Sequence, residues 1–127
     1  MGYQLVSKFG TYHSSVVVVG CGGTGGFAAE GLARLLTPEQ GLILIDGDRV
    51  EERNLVRQNF YPEDLGRFKA QALAGRLSRK YQRPVAYSVA PVAEGWRIPA
   101  GAAVVLGCVD NAAARSAIAR EISPRVW

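Results

Sequence analysis

Residues 16–26 read VVVVGCGGTGG, four valines that pass directly into a loop made mostly of glycine. An uninterrupted apolar run of this kind, ended by glycine, is typical of a strand buried on both faces. Beyond the loop, apolar residues recur among alanines at helical spacing, namely Phe27, Leu32, Leu35 and Leu36. Thr37-Pro38 then ends the helix. The stretch therefore predicts a buried strand, a tight turn and a helix.

The turn carries the pattern G-x-G-x-x-G at Gly20, Gly22 and Gly25. Glycines at these positions let the backbone approach a phosphate, and the start of the helix supplies free N–H groups. In dinucleotide-binding folds an acidic residue about 20 positions later holds the ribose, and Asp46 occupies that place after the predicted strand Leu42–Ile45. On this pattern alone NAD is favoured, while ATP and a turn without a ligand stay open.

The remaining chain continues the alternation of strand and helix. Further strands are predicted at residues 84–89 and 103–108, and helices at residues 66–81 and 112–122, the last capped by Asp110 or Asn111. Alternation of this kind predicts an α/β fold with a doubly wound, Rossmann-like, mostly parallel sheet and helices on both faces. The 127 residues are expected to form a single nucleotide-binding domain, with the last strand beside the first.

The segment after the second strand, DGDRVEERNLVRQNF, carries more polar groups than a dinucleotide site needs. If residues 54–58 form a helical turn, the side chains of Asn54, Arg57 and Gln58 share a face beside the glycine loop. Lys69, at the start of the next helix, can reach back to the same cleft. Guanidinium, ammonium and amide groups together suit a triphosphate. Alternatively, Arg57 pairs with a neighbouring glutamate and Asn54 only caps a turn.

Composition excludes several other classes of protein. The chain is 48% hydrophobic and 20% charged, has no apolar run of membrane-spanning length and lacks a secretory signal, so a cytoplasmic location is expected. Its net charge of +4 is spread along the chain without a recognition motif, which argues against a nucleic-acid partner. Cys21 and Cys108 form no CxxC pair and are expected to be packing residues, so no zinc site is expected. His13 is given no role.

Four motifs resemble the E1-like activating enzymes of the ThiF/MoeB/HesA group: GCGGTGG, DGDRVEERNLVRQNF, DLGRFKAQ and CVDNAAAR. The resemblance covers residues 16–122. The string D-x-D-x-V-E-x-x-N-L-x-R-Q is far more specific to that family than the glycine loop, which fits the family form G-x-G-G-x-G.

The resemblance implies binding of ATP and Mg²⁺ and adenylation of the C-terminal carboxylate of a small ubiquitin-like or sulfur-carrier protein that ends in diglycine. It implies a homodimer when the protein is full length. No membrane partner is expected, because no apolar run is long enough to span a bilayer. Asp46 would hold the ribose and Asp110 the Mg²⁺, while Arg115 would be structural. The phosphates would be surrounded by Gly20, Gly22, Gly23, Gly25, Asn54, Arg57, Gln58 and Lys69, with Arg57, Lys69 and Asp110 acting in catalysis.

The resemblance also has gaps. The family domain is about twice as long, and this chain ends after a predicted helix, so we expect it to be the N-terminal half of a ThiF-type domain. The cysteine of thioester or persulfide chemistry and an N-terminal arginine of some members are missing. Two other functions therefore stay open: an oxidoreductase domain binding NAD(P) or FAD, and a non-catalytic module that docks a ubiquitin-like partner.

Overall fold

The computed structural model describes residues 3–4 and 14–122, which contain five strands and four helices. The strands are β1 (Tyr3–Gln4), β2 (Ser14–Val19), β3 (Gln40–Ile45), β4 (Ala86–Ser88) and β5 (Ala102–Gly107). The helices are α1 (Gly23–Leu35), α2 (Asn54–Arg57), α3 (Lys69–Tyr81) and α4 (Ala112–Glu121), with a 3-10 turn at Pro62–Asp64. None of the helices in these residues has the length and apolarity to cross a bilayer.

The strands form one sheet in the order β1-β4-β3-β2-β5. Strands β2 to β5 are parallel, and β1 adds an antiparallel edge that the sequence did not predict. In the register, Val19 pairs with Ile45 of β3 and with Gly107 of β5. The Rossmann-like α/β fold is thereby confirmed, and so is the predicted position of the last strand, β5, beside β2, the strand that leads into the glycine loop.

Three of the four valines alternate between two cores, as a strand covered on both faces requires. Val18 faces α1 and α3 in a cluster with Leu44, Leu73 and Leu77. Val17 and Val19 face α4 in a second cluster, which includes Ile118. The sheet is therefore a middle layer, and the turns that leave its carboxyl edge lie between the helices.

Helix α1 differs from its predicted packing. Its buried side consists of Gly25, Gly26, Ala29 and Ala33, whereas Phe27 and Leu35 are 56% and 80% exposed. Only the smallest residues fit where the helix backbone lies directly against the sheet and the preceding loop, so Phe27 and Leu35 lie outside, while Leu32 and Leu36 pack partly buried against the core.

The predicted third helix begins later than expected. Phe68 is extended and forms an isolated antiparallel bridge with Arg49, so α3 starts at Lys69 rather than near residue 66. Likewise, β4 covers Ala86–Ser88, within the strand predicted at residues 84–89. The helical turn expected at residues 54–58 is confirmed as α2.

Candidate functional site

A cavity of about 510 Å³ lies at the carboxyl ends of β2, β3 and β5. This edge of a doubly wound parallel sheet is where such folds bind their ligands, and the volume suits a small molecule. Seventeen residues line the cavity: Gly20, Gly22, Gly23, Thr24, Ile45, Asp46, Gly47, Asp48, Gln58, Lys69, Pro91, Val92, Cys108, Val109, Asp110, Asn111 and Ala114.

The floor of the cavity is the glycine loop, where two glycines cannot be replaced. Gly20 has a φ of 96°, and a Cβ there would lie 2.6 Å from the carbonyl oxygen of Cys108. A Cβ on Gly25 would lie 1.7 Å from the carbonyl oxygen of Gly20, so α1 begins in direct contact with the loop. Because the N-cap of α1 is Gly22, no side chain of that residue covers the first N–H groups of the helix. These donors and the positive end of the helix dipole favour an anion.

Asp46 joins the end of β3 to this loop. Its Oδ2 accepts a hydrogen bond from the backbone N–H of Cys21 at 2.7 Å, and its Oδ1 accepts one from Asp48 at 2.7 Å. Burial raises the pKa of the Asp46 carboxyl, while the two N–H donors and the positive charge of Lys69 act in the opposite direction. The side chain thus lines the cavity where the sequence placed it.

Lys69 brings a buried positive charge into the cavity. The residue is only 7% exposed, and its backbone N–H donates to the carbonyl of Asp48 at 2.9 Å. The ion pairs found within residues 14–122 include none with Lys69, although Lys80 on the same helix pairs with Glu30 at 2.7 Å. A lysine that lines the cavity and makes no ion pair in the described residues is well suited to an anionic ligand.

Gln58 adds an amide above the glycine loop. Its Nε2 lies 3.4 Å from the point where a Cβ on Gly22 would be. Its Oε1 is buried and finds no hydrogen-bond donor in the described part of the chain. An orphaned buried acceptor of this kind indicates a donor that is supplied by a ligand or a solvent molecule.

Asn54 and Arg57, which begin and end α2, differ in their burial. Asn54 is buried, and its Oδ1 accepts the backbone N–H of Glu51 at 2.8 Å, so it caps the turn that leads into α2. Arg57 is exposed and is not among the cavity-lining residues of the described chain. The ion pair with Glu51 is made by Arg53 instead. A contact of Asn54 or Arg57 with a nucleotide stays a prediction.

Asp110 and Asn111 have separate positions. Asn111 is the N-cap of α4, and its Oδ1 accepts the backbone N–H of Ala114 at 2.7 Å. Asp110 is left free of that role and lines the cavity with an exposed side chain. Arg115 turns away to donate to the carbonyl of Val109 at 3.3 Å. Within residues 14–122, no group of three or more His, Cys, Asp or Glu side chains is placed to hold a metal ion.

The sequence matches the model of the ThiF family over residues 11–123, which is most of the chain. The chain belongs to the ThiF family. Its fold is therefore that of the ThiF family, and the resemblance read from the four motifs is confirmed.

Two curated proteins show how much of a longer relative this chain matches. It is 37% identical over 120 residues to ubiquitin-like modifier-activating enzyme 5 of Dictyostelium discoideum, covering 82% of this chain and 31% of that protein. It is 39% identical over 107 residues to adenylyltransferase and sulfurtransferase MOCS3 of Mus musculus, covering 80% of this chain and 23% of that protein. The present chain thus spans less than a third of the length of these relatives.

Solved structures give the same assignment. The E. coli tRNA N6-threonylcarbamoyladenosine dehydratase TcdA, in complex with ATP, superposes with a TM-score of 0.69 at 26% identity, covering 84% of this chain and 46% of that chain. E. coli MccB, crystallised with succinimide, superposes with a TM-score of 0.54 at 33% identity, covering 61% of this chain and 23% of that chain.

The surroundings of the two cysteines, Cys21 and Cys108, disfavour the thiolate form. Burial, with the negative charge of Asp46 as a lesser cause, raises the pKa of the Cys21 thiol well above its usual range. Burial also raises the pKa of the Cys108 thiol. Both thiols are therefore protonated at neutral pH, as expected for packing residues.

The sequence did not predict part of the cavity lining, nor a polar cluster that links the elements beside it. Pro91 and Val92 line the cavity from the turn after β4, and only the strand order could have placed that turn beside Asp46. A polar cluster also links α1, α3 and the segment after α2: Glu30 accepts hydrogen bonds from Asn59, Lys80 and Tyr81. These donors lower the pKa of Glu30 to about 2.

Proposed function

We propose that the chain is the nucleotide-binding part of an enzyme that uses ATP and Mg²⁺ to adenylate the C-terminal carboxylate of a small ubiquitin-like or sulfur-carrier protein. Membership of the ThiF family and similarity to an adenylyltransferase and to activating enzymes support this function. A homodimeric full-length form and a cytoplasmic location stay predictions.

The observation that carries the proposal is Lys69. A cavity lined by a mostly buried lysine that makes no ion pair within residues 14–122, with a helix N-terminus in its floor, suits a ligand with several negative charges. The orphaned acceptor on Gln58 supports a ligand in the same space. A dinucleotide needs the ribose carboxylate and the glycine loop, but it does not need the buried cation.

Each residue has a defined task in this chemistry. The N–H groups at the start of α1 and the ammonium of Lys69 would hold the phosphates and neutralise charge on the departing pyrophosphate. Asp46 would accept hydrogen bonds from the ribose. Arg57, whose carbonyl oxygen lies 3.9 Å from where a Cβ on Gly23 would be, starts close enough for its long side chain to reach the phosphates. Asp110 would hold Mg²⁺, which would help to neutralise the charge of the phosphates.

No general base is needed, because a carboxylate nucleophile is already ionised at neutral pH. One carboxylate oxygen forms a bond to the α-phosphorus while the bond from that phosphorus to the bridging oxygen breaks, giving an acyl-adenylate and pyrophosphate. The chain therefore has to orient and neutralise, which is the work that the described side chains suit.

Thermal unfolding separates this proposal from the dinucleotide alternative. ATP with Mg²⁺ should raise the melting temperature more than NAD at equal concentration, because only the triphosphate uses Lys69. Equal shifts, or a larger shift with NAD, would refute the ATP assignment.

Isotope exchange between pyrophosphate and ATP tests the reaction in the full-length protein. A synthetic peptide that ends in Gly-Gly should support exchange, and the same peptide with an amidated C-terminus should not, because it lacks the nucleophile. Binding of ATP without exchange on any acceptor would favour the non-catalytic module.

The similarity to TcdA supports a second acceptor class, since that protein is named for a modified nucleoside of tRNA. A threonylcarbamoyl group also carries a carboxylate, so the same activation chemistry can apply to it. Exchange that requires tRNA and ignores the Gly-Gly peptide would assign this acceptor instead.

A further inference from the structure

Asp46, in the turn that follows β3, makes more contacts within the chain than a residue that only binds a ribose would need. Both carboxylate oxygens of Asp46 are used within the chain, one by the N–H of Cys21 and the other by the N–H of Asp48, each at 2.7 Å. Cys21 immediately precedes the N-cap of α1. The carboxylate therefore fixes the backbone of the glycine loop at the point where the helix begins.

The same turn holds two further elements of the cavity. The backbone N–H of Asp46 donates to Ser88 of β4 at 3.1 Å, and the carbonyl of Asp48 accepts the N–H of Lys69 at 2.9 Å. Residues 46–48 thus connect the glycine loop, the start of α3 with its buried ammonium, and the end of β4. Hydrogen bonds to an ionised carboxylate are short and strong, so Asp46 is a firm link in this set.

The glycine loop has little other side-chain support near Cys21. Gly22 and Gly23 follow it and bring no side chains of their own, and the N-cap position therefore makes no capping bond. Glycine also loses more backbone freedom than any other residue when it is ordered. A loop of this composition needs an external acceptor to stay in one conformation.

We propose that Asp46 is a positioning residue for the phosphate-binding loop, in addition to its expected contact with the ribose. This inference rests on the proposed function, because it concerns how that site binds phosphates. It requires that the binding of a polyphosphate, which has no ribose, still depends on Asp46.

Electrostatics and loop support act in opposite directions here, which makes the test decisive. Removing a negative charge beside an anion site should strengthen anion binding. Removing the acceptor that orders the loop should weaken it. Asp48→Asn is the charge-matched control, since Asp48 also lines the cavity but its carboxylate accepts none of the loop's hydrogen bonds.

The experiment is calorimetric titration of magnesium tripolyphosphate, and separately of magnesium ATP, into the wild-type chain and three variants. Asp46→Ala should weaken tripolyphosphate binding at least 10-fold. Asp46→Asn should have an intermediate effect, because its amide oxygen can replace only one of the two acceptors. Asp48→Asn should bind tripolyphosphate as tightly as the wild type or more tightly.

If Asp46→Ala binds tripolyphosphate as well as the wild type while its ATP binding falls, Asp46 is only a ribose ligand and the inference is wrong. If the wild-type chain binds neither probe, the proposed function fails, and the inference fails with it. Should Asp46→Ala not fold, Asp46→Asn and the amide proton resonance of Cys21 in the ligand-free protein decide. That resonance should move upfield in Asp46→Asn, and an unchanged position would overturn the inference.

Discussion

Replacing Lys69 by methionine tests whether the buried ammonium serves a ligand or the fold. Methionine keeps the length and most of the volume of the side chain while removing the charge. Lys69 is 7% exposed as a residue, and residues 14–122 offer its ammonium no ion pair. Loss of this charge should therefore not reduce stability, because no ion pair of the described residues is broken.

The effect on ATP binding should be large and opposite in sign. A hydrogen bond to a charged group contributes about 1.5–3 kcal/mol, which corresponds to a loss of affinity of about 10- to 100-fold. Calorimetric titration with magnesium ATP measures this change, and thermal unfolding without ligand measures stability. We expect weaker binding with a melting temperature that is unchanged or higher.

Lys80→Met provides the matched control on the same helix. Lys80 pairs with Glu30 at 2.7 Å outside the cavity, so its loss should slightly lower stability and leave ATP affinity unchanged. The reasoning is refuted if Lys69→Met binds ATP normally, or if its stability falls in parallel with its affinity. The second result would mean that the ammonium has a structural partner.

Four further substitutions test the glycine loop, the two polar residues that precede α4 and the polar cluster around Glu30. Gly25→Ala, whose Cβ would overlap the carbonyl oxygen of Gly20 at 1.7 Å, should cost about 3 kcal/mol or more in the free energy of unfolding and abolish ATP binding; a native melting curve would contradict this. Asn111→Ala should cost about 1 kcal/mol by removing the N-cap of α4, whereas Asp110→Ala should keep the stability and lose the Mg²⁺ dependence of ATP binding; reversed effects would exchange the two roles. Glu30→Gln should be less stable than the wild type at neutral pH by about 1–2 kcal/mol, since a carboxylate held by several donors is lost. Because folding lowers the pKa of Glu30 from 4.5 to about 2, the wild type's advantage is complete above pH 4.5 and should shrink as the pH falls toward 2 in denaturant titrations; a constant difference would show that ionisation is not involved.

Much of the fold could be predicted because its signals are local. Four consecutive valines can only be buried on both faces, and alternation of strand and helix limits the topology. The β1 edge of the sheet was not predicted, since β1 is two residues long and pairs with β4 from more than 80 positions away. Short strands depend on their partner, which a sequence pattern does not specify.

The site divides in the same way. Glycines, Asp46 and Lys69 follow directly from the ends of predictable elements, and they line or support the cavity. The direction of the side chains on α2 could not be read, because a four-residue helix is too short for periodicity to fix its buried face. Asn54 is buried and Arg57 is exposed, a difference that the sequence pattern did not specify.

Helix α1 has one more consequence for how this protein tolerates change. Its closest approach to the sheet is made by Gly25, Gly26, Ala29 and Ala33, and its bulky apolar residues Phe27 and Leu35 are largely in solvent. In a saturation-mutagenesis library, the bulky positions of this helix should accept polar and charged replacements, while its smallest positions should reject nearly all of them. Sequence variation among functional variants would then be lowest at the residues with the least side chain, the reverse of the pattern in an ordinary amphipathic helix.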